Sequence, residues 1–185
     1  GIGTGWSTNI PQYNPKDLIE QIKRLNNNEE LKELSPYYRD FKGFYKKNKN
    51  GFMIRGCYDI IDNRTIKVTE LPIGTSTEEF KEHLDKLCIA EKIDNFENYS
   101  SDCDIDFAIL FKSGGIHSML EIEPDDDNVD AIEKLLKLYK QINTTNMVLY
   151  NNNLELTQYK NVNDIIKEFY DVRIDYYQRR KQYLL

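Results

Sequence analysis

The sequence predicts a mixed α/β (α+β) fold, in which a mixed β-sheet packs against helices and a long helix lies at the C-terminal end. Apolar side chains three and four residues apart, which are typical of amphipathic helices, recur in several segments. Between these segments, apolar and polar side chains alternate as they do in half-buried strands. The chain has 185 residues, of which 39% are hydrophobic and 12% aromatic, so it can bury an ordinary core.

The first predicted helix begins after Asn14, whose side chain can cap free backbone N–H groups, and Pro15 suits the first helical position. The asparagines at 26–28 end this helix. Its apolar positions are Leu18, Ile19, Ile22 and Leu25. The pattern around Pro36 and Gly43 then predicts a loop.

Three strands are predicted in the middle of the chain. Residues 51–61 and 64–71 flank the short polar turn Asp62-Asn63, which indicates a hairpin. Strict alternation predicts the third strand, which ends at Gly114-Gly115. Its apolar members are Ile105, Phe107, Ile109 and Phe111.

Helices are predicted over residues 75–88, with Thr77 as the N-cap, and over residues 129–139. A short strand at 147–150 is expected to pair with residues 154–158 around an asparagine turn.

The last helix is predicted to be capped by Asn163 and to run to the C-terminus. Its apolar stripe is typical of the first turns of a coiled coil. The stripe consists of Ile165, Phe169, Val172, Tyr176 and Tyr183.

The composition argues against several classes of protein. The mean hydropathy of −0.68 and the lack of a long apolar run argue against a membrane-spanning chain. Three scattered cysteines indicate no disulfide framework and favour a reduced, intracellular setting. The glycine-rich start has neither an initiator Met nor a signal-peptide pattern, which favours a piece of a longer chain.

The charge is acidic overall but unevenly distributed. The formal net charge of −6 lowers the expectation of nucleic-acid binding. Residues 121–130 hold six acids and no base, whereas residues 134–159 hold three lysines and one acid. A basic face can therefore coexist with an acidic total.

Two patterns could bind phosphate or metal. The GIGTG run at residues 1–5 lacks the preceding strand and the Lys-Ser/Thr pair of a phosphate loop, so it predicts a turn. Asp102, Asp104 and Asp106 are expected on one face of a strand. There they would form either a solvated surface or a Mg²⁺ site for phosphoryl transfer.

The other reactive side chains give weaker signals. His83 and His117 stand at no metal-ligand spacing, and nothing supports a catalytic dyad with Cys88 or Cys103. The cations of the last helix are interspersed with acids and are expected to form a solvated face. These cations are Arg173, Arg179, Arg180 and Lys181.

Residues 137–146, KLYKQINTTN, are predicted as a polar loop between a helix and a strand. They offer two cations, an aromatic ring and several short amides and hydroxyls. Such groups suit the phosphate and sugar oxygens of DNA, although an ordinary polar loop has the same composition. On these patterns alone the chain is an intracellular α/β domain with one candidate polyanion-binding segment.

Five longer stretches together resemble a known family. They are GIGTGWSTNIPQYNP at 1–15, FKG at 41–43, TELP at 69–72, NMVLY at 146–150 and EFYDVRIDYYQRRKQYLL at 168–185. They stand in the order seen in type IIA DNA topoisomerases, and the match covers essentially the whole chain. The likeness is closer to the eukaryotic and large-DNA-virus branch than to the bacterial gyrase branch.

The resemblance implies a fragment of the breakage–reunion core. Residues 1–160 would be the tower (shoulder) domain, and residues 161–185 would start the coiled-coil helix towards the C-terminal gate. The family enzyme is an ATP-hydrolysing homodimer that relaxes and decatenates DNA by transient double-strand cleavage, strand passage and religation, and it needs Mg²⁺. The catalytic tyrosine, the Mg²⁺-binding domain and the ATPase domain precede this region, so the fragment should hold no cofactor and be inactive alone.

The resemblance also implies which residues contact DNA. The stretch at 137–146 matches the one with which the family's tower touches the bent duplex. Its members are Lys137, Leu138, Tyr139, Lys140, Gln141, Ile142, Asn143, Thr144, Thr145 and Asn146. The location would be the nucleus of a eukaryotic cell, or the host cytoplasm or virion for a large DNA virus.

One departure weakens part of the match. After ELP the cellular enzymes typically have an arginine and then a tryptophan that touches DNA, whereas this chain has Gly74 and Ser76. Because cation and aromatic surface are both lost, any DNA contact from Ser76 would be weaker. The alternatives are a non-catalytic DNA-binding or structural module of the same fold, or a Mg²⁺ nuclease built on the three aspartates at 102–106.

Overall fold

The computed structural model describes residue 3 and residues 5–125 and 128–185. These residues form five helices and nine strands. In chain order they are α1 (Pro15–Asn26), β1 (Phe44–Asn48), β2 (Gly51–Arg55), β3 (Cys57–Ile60), β4 (Thr65–Glu70), α2 (Thr77–Ile89), β5 (Asn95–Asn98), β6 (Phe107–Leu110), α3 (Gly115–Leu120), α4 (Ala131–Leu136), β7 (Tyr139–Asn143), β8 (Met147–Tyr150), β9 (Leu156–Tyr159) and α5 (Val162–Leu184). This confirms the mixed α/β class.

The chain divides into two compact units. The terminal unit consists of Gly1–Arg39 and Asn143–Leu185, and the central unit consists of Asp40–Ile142.

The central unit holds two sheets, with strand orders β1-β2-β7 and β3-β4-β6-β5. Antiparallel pairing of β4 with β6 places Ile66 opposite Ile109 and Val68 opposite Phe107. All four side chains are fully buried. The core continues into α2, where the ring of Phe80 meets that of Phe107 edge to face at 5.0 Å.

The terminal unit contains the β8–β9 hairpin and the helices α1 and α5, which pack against each other. The predicted cap of α1 is confirmed, because the Asn14 side chain accepts a hydrogen bond from the Lys16 N–H. Ile19, one of the apolar positions of the predicted helix, is 54% exposed, and the buried position of α1 is Gln21. The Gln21 amide is satisfied by the backbone N–H and C=O of Lys32.

The strand predicted over residues 51–61 is interrupted at Gly56, and its two halves belong to different sheets. A Cβ at Gly56 would lie 2.3 Å from the Glu70 carbonyl oxygen, so only glycine allows this close backbone approach. The predicted hairpin across Asp62-Asn63 is confirmed for β3 and β4. Asp62 Oδ1 accepts hydrogen bonds from the N–H groups of Arg64 and Thr65, which fixes the turn.

Several predicted boundaries were wrong. The cap of α2 is Ser76 rather than Thr77, and the cap of α5 is Asn161 rather than Asn163. The helix predicted over 129–139 ends at Leu136, because Lys137 adopts a left-handed conformation with φ 53°. β1, β5 and α3 were not predicted, since none of them shows a clear apolar period.

The stripe predicted for the last helix is largely exposed among the described residues. Phe169 and Tyr176 are 54% and 57% exposed, whereas Ile166 is the buried position of α5. No helix in the described part of the chain is both long enough and apolar enough to cross a membrane.

Candidate nucleic-acid interface

The segment 137–146 was predicted as a loop, and this is wrong for its first half. α4 ends at Leu136, and after the cap residue Lys137 and the buried Leu138 the chain continues directly as β7. The left-handed Lys137 reverses the chain direction within one residue, as glycine more often does. Its backbone N–H reaches the carbonyl oxygens of Glu133 and Lys134 at the helix end, and the Leu138 N–H also donates to the Glu133 carbonyl at 2.9 Å.

The two lysines of this segment are exposed, while the residue next to Lys137 is not. Leu138 is fully buried, and its carbonyl oxygen accepts a hydrogen bond from the Gly56 N–H at 2.9 Å. The Leu138 side chain therefore anchors the segment in the core and presents no surface to a ligand. Lys137, Tyr139 and Lys140 are the exposed members of the first half.

A buried ion pair stabilises the turn at Lys137. Arg55 Nε and Nη2 donate to the two carboxylate oxygens of Glu133 at 2.7 and 2.5 Å. Their side chains are 19% and 5% exposed. The bond to Glu133 raises the pKa of the Arg55 guanidinium above its ordinary value, despite its partial burial. Gly56 hydrogen-bonds to Leu138, and the adjacent Arg55 pairs with Glu133. The chain is therefore fixed both before and after Lys137.

Glu133 also belongs to the cap of α4. The Asp130 carboxylate accepts from the Glu133 N–H at 2.7 Å, and Glu133 Oε2 accepts from the Asp130 N–H at 3.0 Å. The Tyr58 hydroxyl donates to Asp130 at 2.9 Å, and burial together with this carboxylate raises the pKa of Tyr58. The polar groups of this network are paired with one another, so it forms a rigid base for the turn at Lys137.

Lys140 is held against a second turn. Its Nζ donates to the Gly74 carbonyl oxygen at 2.7 Å. Gly74 has φ +80° in the turn from Pro72 to Thr75, where the Thr75 N–H reaches the Pro72 carbonyl. A Cβ at Gly74 would lie 3.3 Å from Lys140 Nζ, so the absent side chain leaves room for the lysine.

The exposed cations of the first half border a pocket of about 290 Å³ in the central unit. Its walls are Lys137, Tyr139 and Lys140 on one side and α2 with the preceding Thr75 on the other. The α2 side chains are Glu79, Phe80, Glu82, His83 and Lys86. His83 Nε2 lies 2.8 Å from the Leu135 carbonyl oxygen, to which it donates in the tautomer that carries the proton on Nε2.

Ser76 is the N-cap residue of α2. Its Oγ accepts a hydrogen bond from the Glu79 N–H at 3.1 Å and so caps α2. A weaker DNA contact from this position stays a prediction.

The second half of the segment, residues 143–146, lies in the terminal unit and is hydrogen-bonded to its own chain. The Asn146 carbonyl accepts from the Asn9 N–H at 2.8 Å, and its amide donates to Ser7 Oγ at 3.0 Å. The Thr145 carbonyl accepts from Gln158 Nε2 at 2.5 Å. These bonds attach residues 7–9 and β9 to the segment.

The other predicted sites are not brought together as functional clusters. Asp102, Asp104 and Asp106 precede β6 instead of lying on a strand, so the predicted shared strand face is wrong. Asp104 pairs with Lys42 at 3.2 Å and Asp106 with Lys67 at 2.9 Å. Within the residues that the structure describes, no three His, Cys, Asp or Glu side chains form a group that could hold a metal ion.

Two further predictions touch residues beyond those described. Gly1, Ile2 and Thr4 of the GIGTG run lie outside the described residues, as do Asp126 and Asp127 of the acidic stretch. In the same stretch, Asp125 pairs with Lys134 at 2.9 Å.

Sequence reasoning missed the residues that support the segment, namely Arg55, Gly56 and Glu133 in the central unit and Thr8 in the terminal unit. Thr8 Oγ1 accepts from the Val148 N–H at 3.2 Å and so joins the N-terminal stretch to β8. Among these residues only Gly56 had a signal in the sequence, because an isolated glycine inside an apolar run is typical of a close approach between backbones.

The sequence matches the family model of the DNA gyrase/topoisomerase IV A subunit over residues 1–185. The chain belongs to this family. The predicted resemblance to type IIA topoisomerases is thereby confirmed.

Members of the family from eukaryotes share 33–40% of their residues with this chain. DNA topoisomerase 2 of Plasmodium falciparum (isolate K1 / Thailand) is 40% identical over 190 residues, and that of Bombyx mori is 38% identical over 189 residues. Each match covers 100% of this chain but only 13% and 12% of the relative. The chain therefore spans about one eighth of the length of these two relatives.

A solved structure agrees with this placement. The crystal structure of the Plasmodium falciparum topoisomerase II DNA-binding, cleavage and re-ligation domain matches with a TM-score of 0.89 and 41% identity. The match covers 100% of this chain and 25% of that chain. The predicted fold class is confirmed by this similarity as well as by the elements themselves.

Proposed function

We propose that the chain is the tower part of an ATP-dependent type IIA DNA topoisomerase, which relaxes and decatenates DNA by double-strand cleavage, strand passage and religation. Its own role is to contact and help bend the cleaved duplex and to connect that region to the C-terminal gate. Residues 1–160 form the tower and residues 161–185 the root of the gate helix in this proposal. Membership of the family and the likeness to a DNA-binding, cleavage and re-ligation domain support it.

One observation in this chain carries the DNA-contact role. Lys137 and Lys140 are exposed on a turn and strand that are fixed from beneath by Arg55, Gly56 and Glu133. Cations on a rigid base can meet phosphates without losing much conformational freedom on binding. Phosphate contacts position a duplex without reading its sequence, which suits an enzyme that acts at many sites.

The chemistry of strand cleavage belongs to other parts of the full-length enzyme in this proposal. We assign Mg²⁺ and ATP to those parts, together with the tyrosine nucleophile. The homodimer is likewise a property of the full-length enzyme, and the compartment is the nucleus of a eukaryotic cell or, for a large DNA virus, the host cytoplasm or virion. The exposed aromatic stripe of α5, with Phe169 and Tyr176, is consistent with a helix that continues into a coiled coil.

The test measures duplex binding by fluorescence anisotropy over a salt series for the chain and for Lys137→Ala/Lys140→Ala. We expect salt-dependent binding, with a log–log slope that falls by about two in the variant, because each neutralised phosphate contributes about 0.9. Equal slopes for both proteins would show that these lysines do not contact phosphate. In that case other residues make the duplex contact, and a chain that binds no duplex even at low salt would be a structural module of the same fold.

A further inference from the structure

A lysine-rich hairpin lies in the same sheet as β7. Residues 41–55 contain five cations and no acid in a chain whose net charge is −6. They include β1, β2 and the two-residue turn Lys49-Asn50 between them. The sheet order β1-β2-β7 places this hairpin next to β7 within the central unit.

Two of the five cations are neutralised at the base of the hairpin. Lys42 pairs with Asp104, and Arg55 pairs with Glu133. Towards the tip, Lys46 and Lys49 take part in no ion pair within the part of the chain that the structure describes. Lys49 is exposed and Lys46 is partly exposed, so positive charge is concentrated at the tip.

The tip is joined to β7 by a reciprocal amide pair. Asn48 Nδ2 donates to Gln141 Oε1 at 2.6 Å, and Gln141 Nε2 donates back to Asn48 Oδ1 at 3.1 Å. Asn48 Oδ1 also accepts from the Asn50 N–H at 3.2 Å, which orders the turn that carries Lys49. The tip lysine is therefore held in a defined position relative to β7.

We propose that the β1–β2 hairpin is a second duplex-binding element, in which Lys46 and Lys49 contact the phosphate backbone. The inference rests on the proposed function. Side chains alternate between the two faces of a strand, so the bond between Asn48 and Gln141 places Lys46 on the sheet face of Gln141 and Lys140 on the opposite face. The hairpin cations therefore form a contact surface separate from that of Lys140, and their charge, in a segment without acids, suits the phosphates of a duplex.

The experiment compares salt slopes of duplex binding for the 185-residue chain and three double variants. Lys46→Gln/Lys49→Gln tests the hairpin, and Lys137→Gln/Lys140→Gln tests β7 and its cap. Lys81→Gln/Lys92→Gln is the matched control, since it removes two exposed lysines of the central unit that lie outside both elements. Circular dichroism of each variant verifies that the fold is retained.

We expect the hairpin variant to lose about two units of slope, at about 0.9 per phosphate, and the control to lose almost none. Lys46→Arg/Lys49→Arg should restore the slope, because arginine retains the charge. A hairpin variant that behaves like the control overturns the inference, whatever the β7 variant does. Loss in the hairpin variant alone would support the hairpin and contradict the β7 contact, and a chain that binds no duplex at low salt would overturn both.

Discussion

The two halves of the segment 137–146 differ in charge, since the first half holds both lysines and the second half holds no charged residue. In the first half, Lys137 and Lys140 present charge from a backbone that the central unit fixes. In the second half, the Thr145 carbonyl oxygen and the Asn146 side-chain amide already bond to their own chain in the terminal unit. A segment that looks uniformly polar in sequence is therefore divided into a charged, available part and a structural part. Affinity for phosphate should come from the first.

The largest expected effect concerns the base of the first half. Glu133→Ala leaves the partly buried Arg55 without its partner and removes one side of the α4 cap. We expect a loss of about 3–5 kcal/mol in the free energy of unfolding, measured by urea denaturation.

The control for this variant is Arg179→Ala, which breaks an exposed i,i+4 pair with Asp175 on α5. We expect it to cost less than about 0.5 kcal/mol. If Glu133→Ala were no more damaging than this control, the first half would not depend on a buried ionic base.

A second variant separates stability from charge in the first half. Lys137 has φ 53°, a conformation that costs a non-glycine residue about 1–2 kcal/mol. Lys137→Gly should therefore raise the unfolding free energy by about 1 kcal/mol while it lowers the salt slope of duplex binding by about one. Thermal melts and anisotropy on the same sample would show both changes. A variant that loses stability and binding together would mean that Lys137 acts through the fold.

A variant of the second half should change stability without changing duplex binding. Asn146→Ala removes the hydrogen bond to Ser7 Oγ, so we expect a loss of about 1 kcal/mol in unfolding free energy. The affinity for duplex at a fixed salt concentration should not change, because the Asn146 side chain already bonds to its own chain. A weaker affinity of the folded variant would place a duplex contact in the half that we describe as structural.

The smallest effect concerns the pH dependence of the unit that carries the second half. Glu168 on α5 accepts from the Tyr159 hydroxyl at 2.5 Å and from the Asn152 N–H at 2.8 Å. These bonds hold the pKa of Glu168 below its ordinary 4.5, and burial together with the carboxylate raises that of Tyr159 to about 12. A lowered folded pKa gives stability that is complete above pH 4.5 and is lost as the pH falls through the folded value.

Glu168→Gln should therefore show a smaller drop in Tm than the unmodified chain when the pH is lowered from about 6 to about 3. Differential scanning fluorimetry at the two pH values measures both drops. An equal acid-induced drop in both proteins would mean that the carboxylate does not contribute in this way.

Local sequence signals predicted some elements well. Asn14-Pro15 specifies the start of α1, Asp62 specifies the β3–β4 turn, and the apolar run at 147–150 specifies β8. In each case the deciding contacts lie within a few residues. The cations of the first half were also evident, because charge needs no partner to be recognised.

The remaining features depend on residues far apart in the chain. β1 has a polar, lysine-rich sequence, and its strand form comes from pairing with the buried β2. The partners Arg55 and Glu133 are separated by 78 residues, so no local pattern could indicate that they meet. Gly56 divides a continuous apolar run because of the approach of Glu70 and Leu138, which only the folded chain shows.

The central claim is that the first half of the segment contacts duplex DNA and the second half does not. The most direct measurement is a titration of the isotope-labelled chain with a short duplex, followed by residue-specific amide NMR shifts. We predict salt-sensitive shifts for Lys137, Tyr139 and Lys140 and small shifts for Thr145 and Asn146. Shifts confined to residues 143–146 or to α5, with the first half unperturbed, would contradict the account.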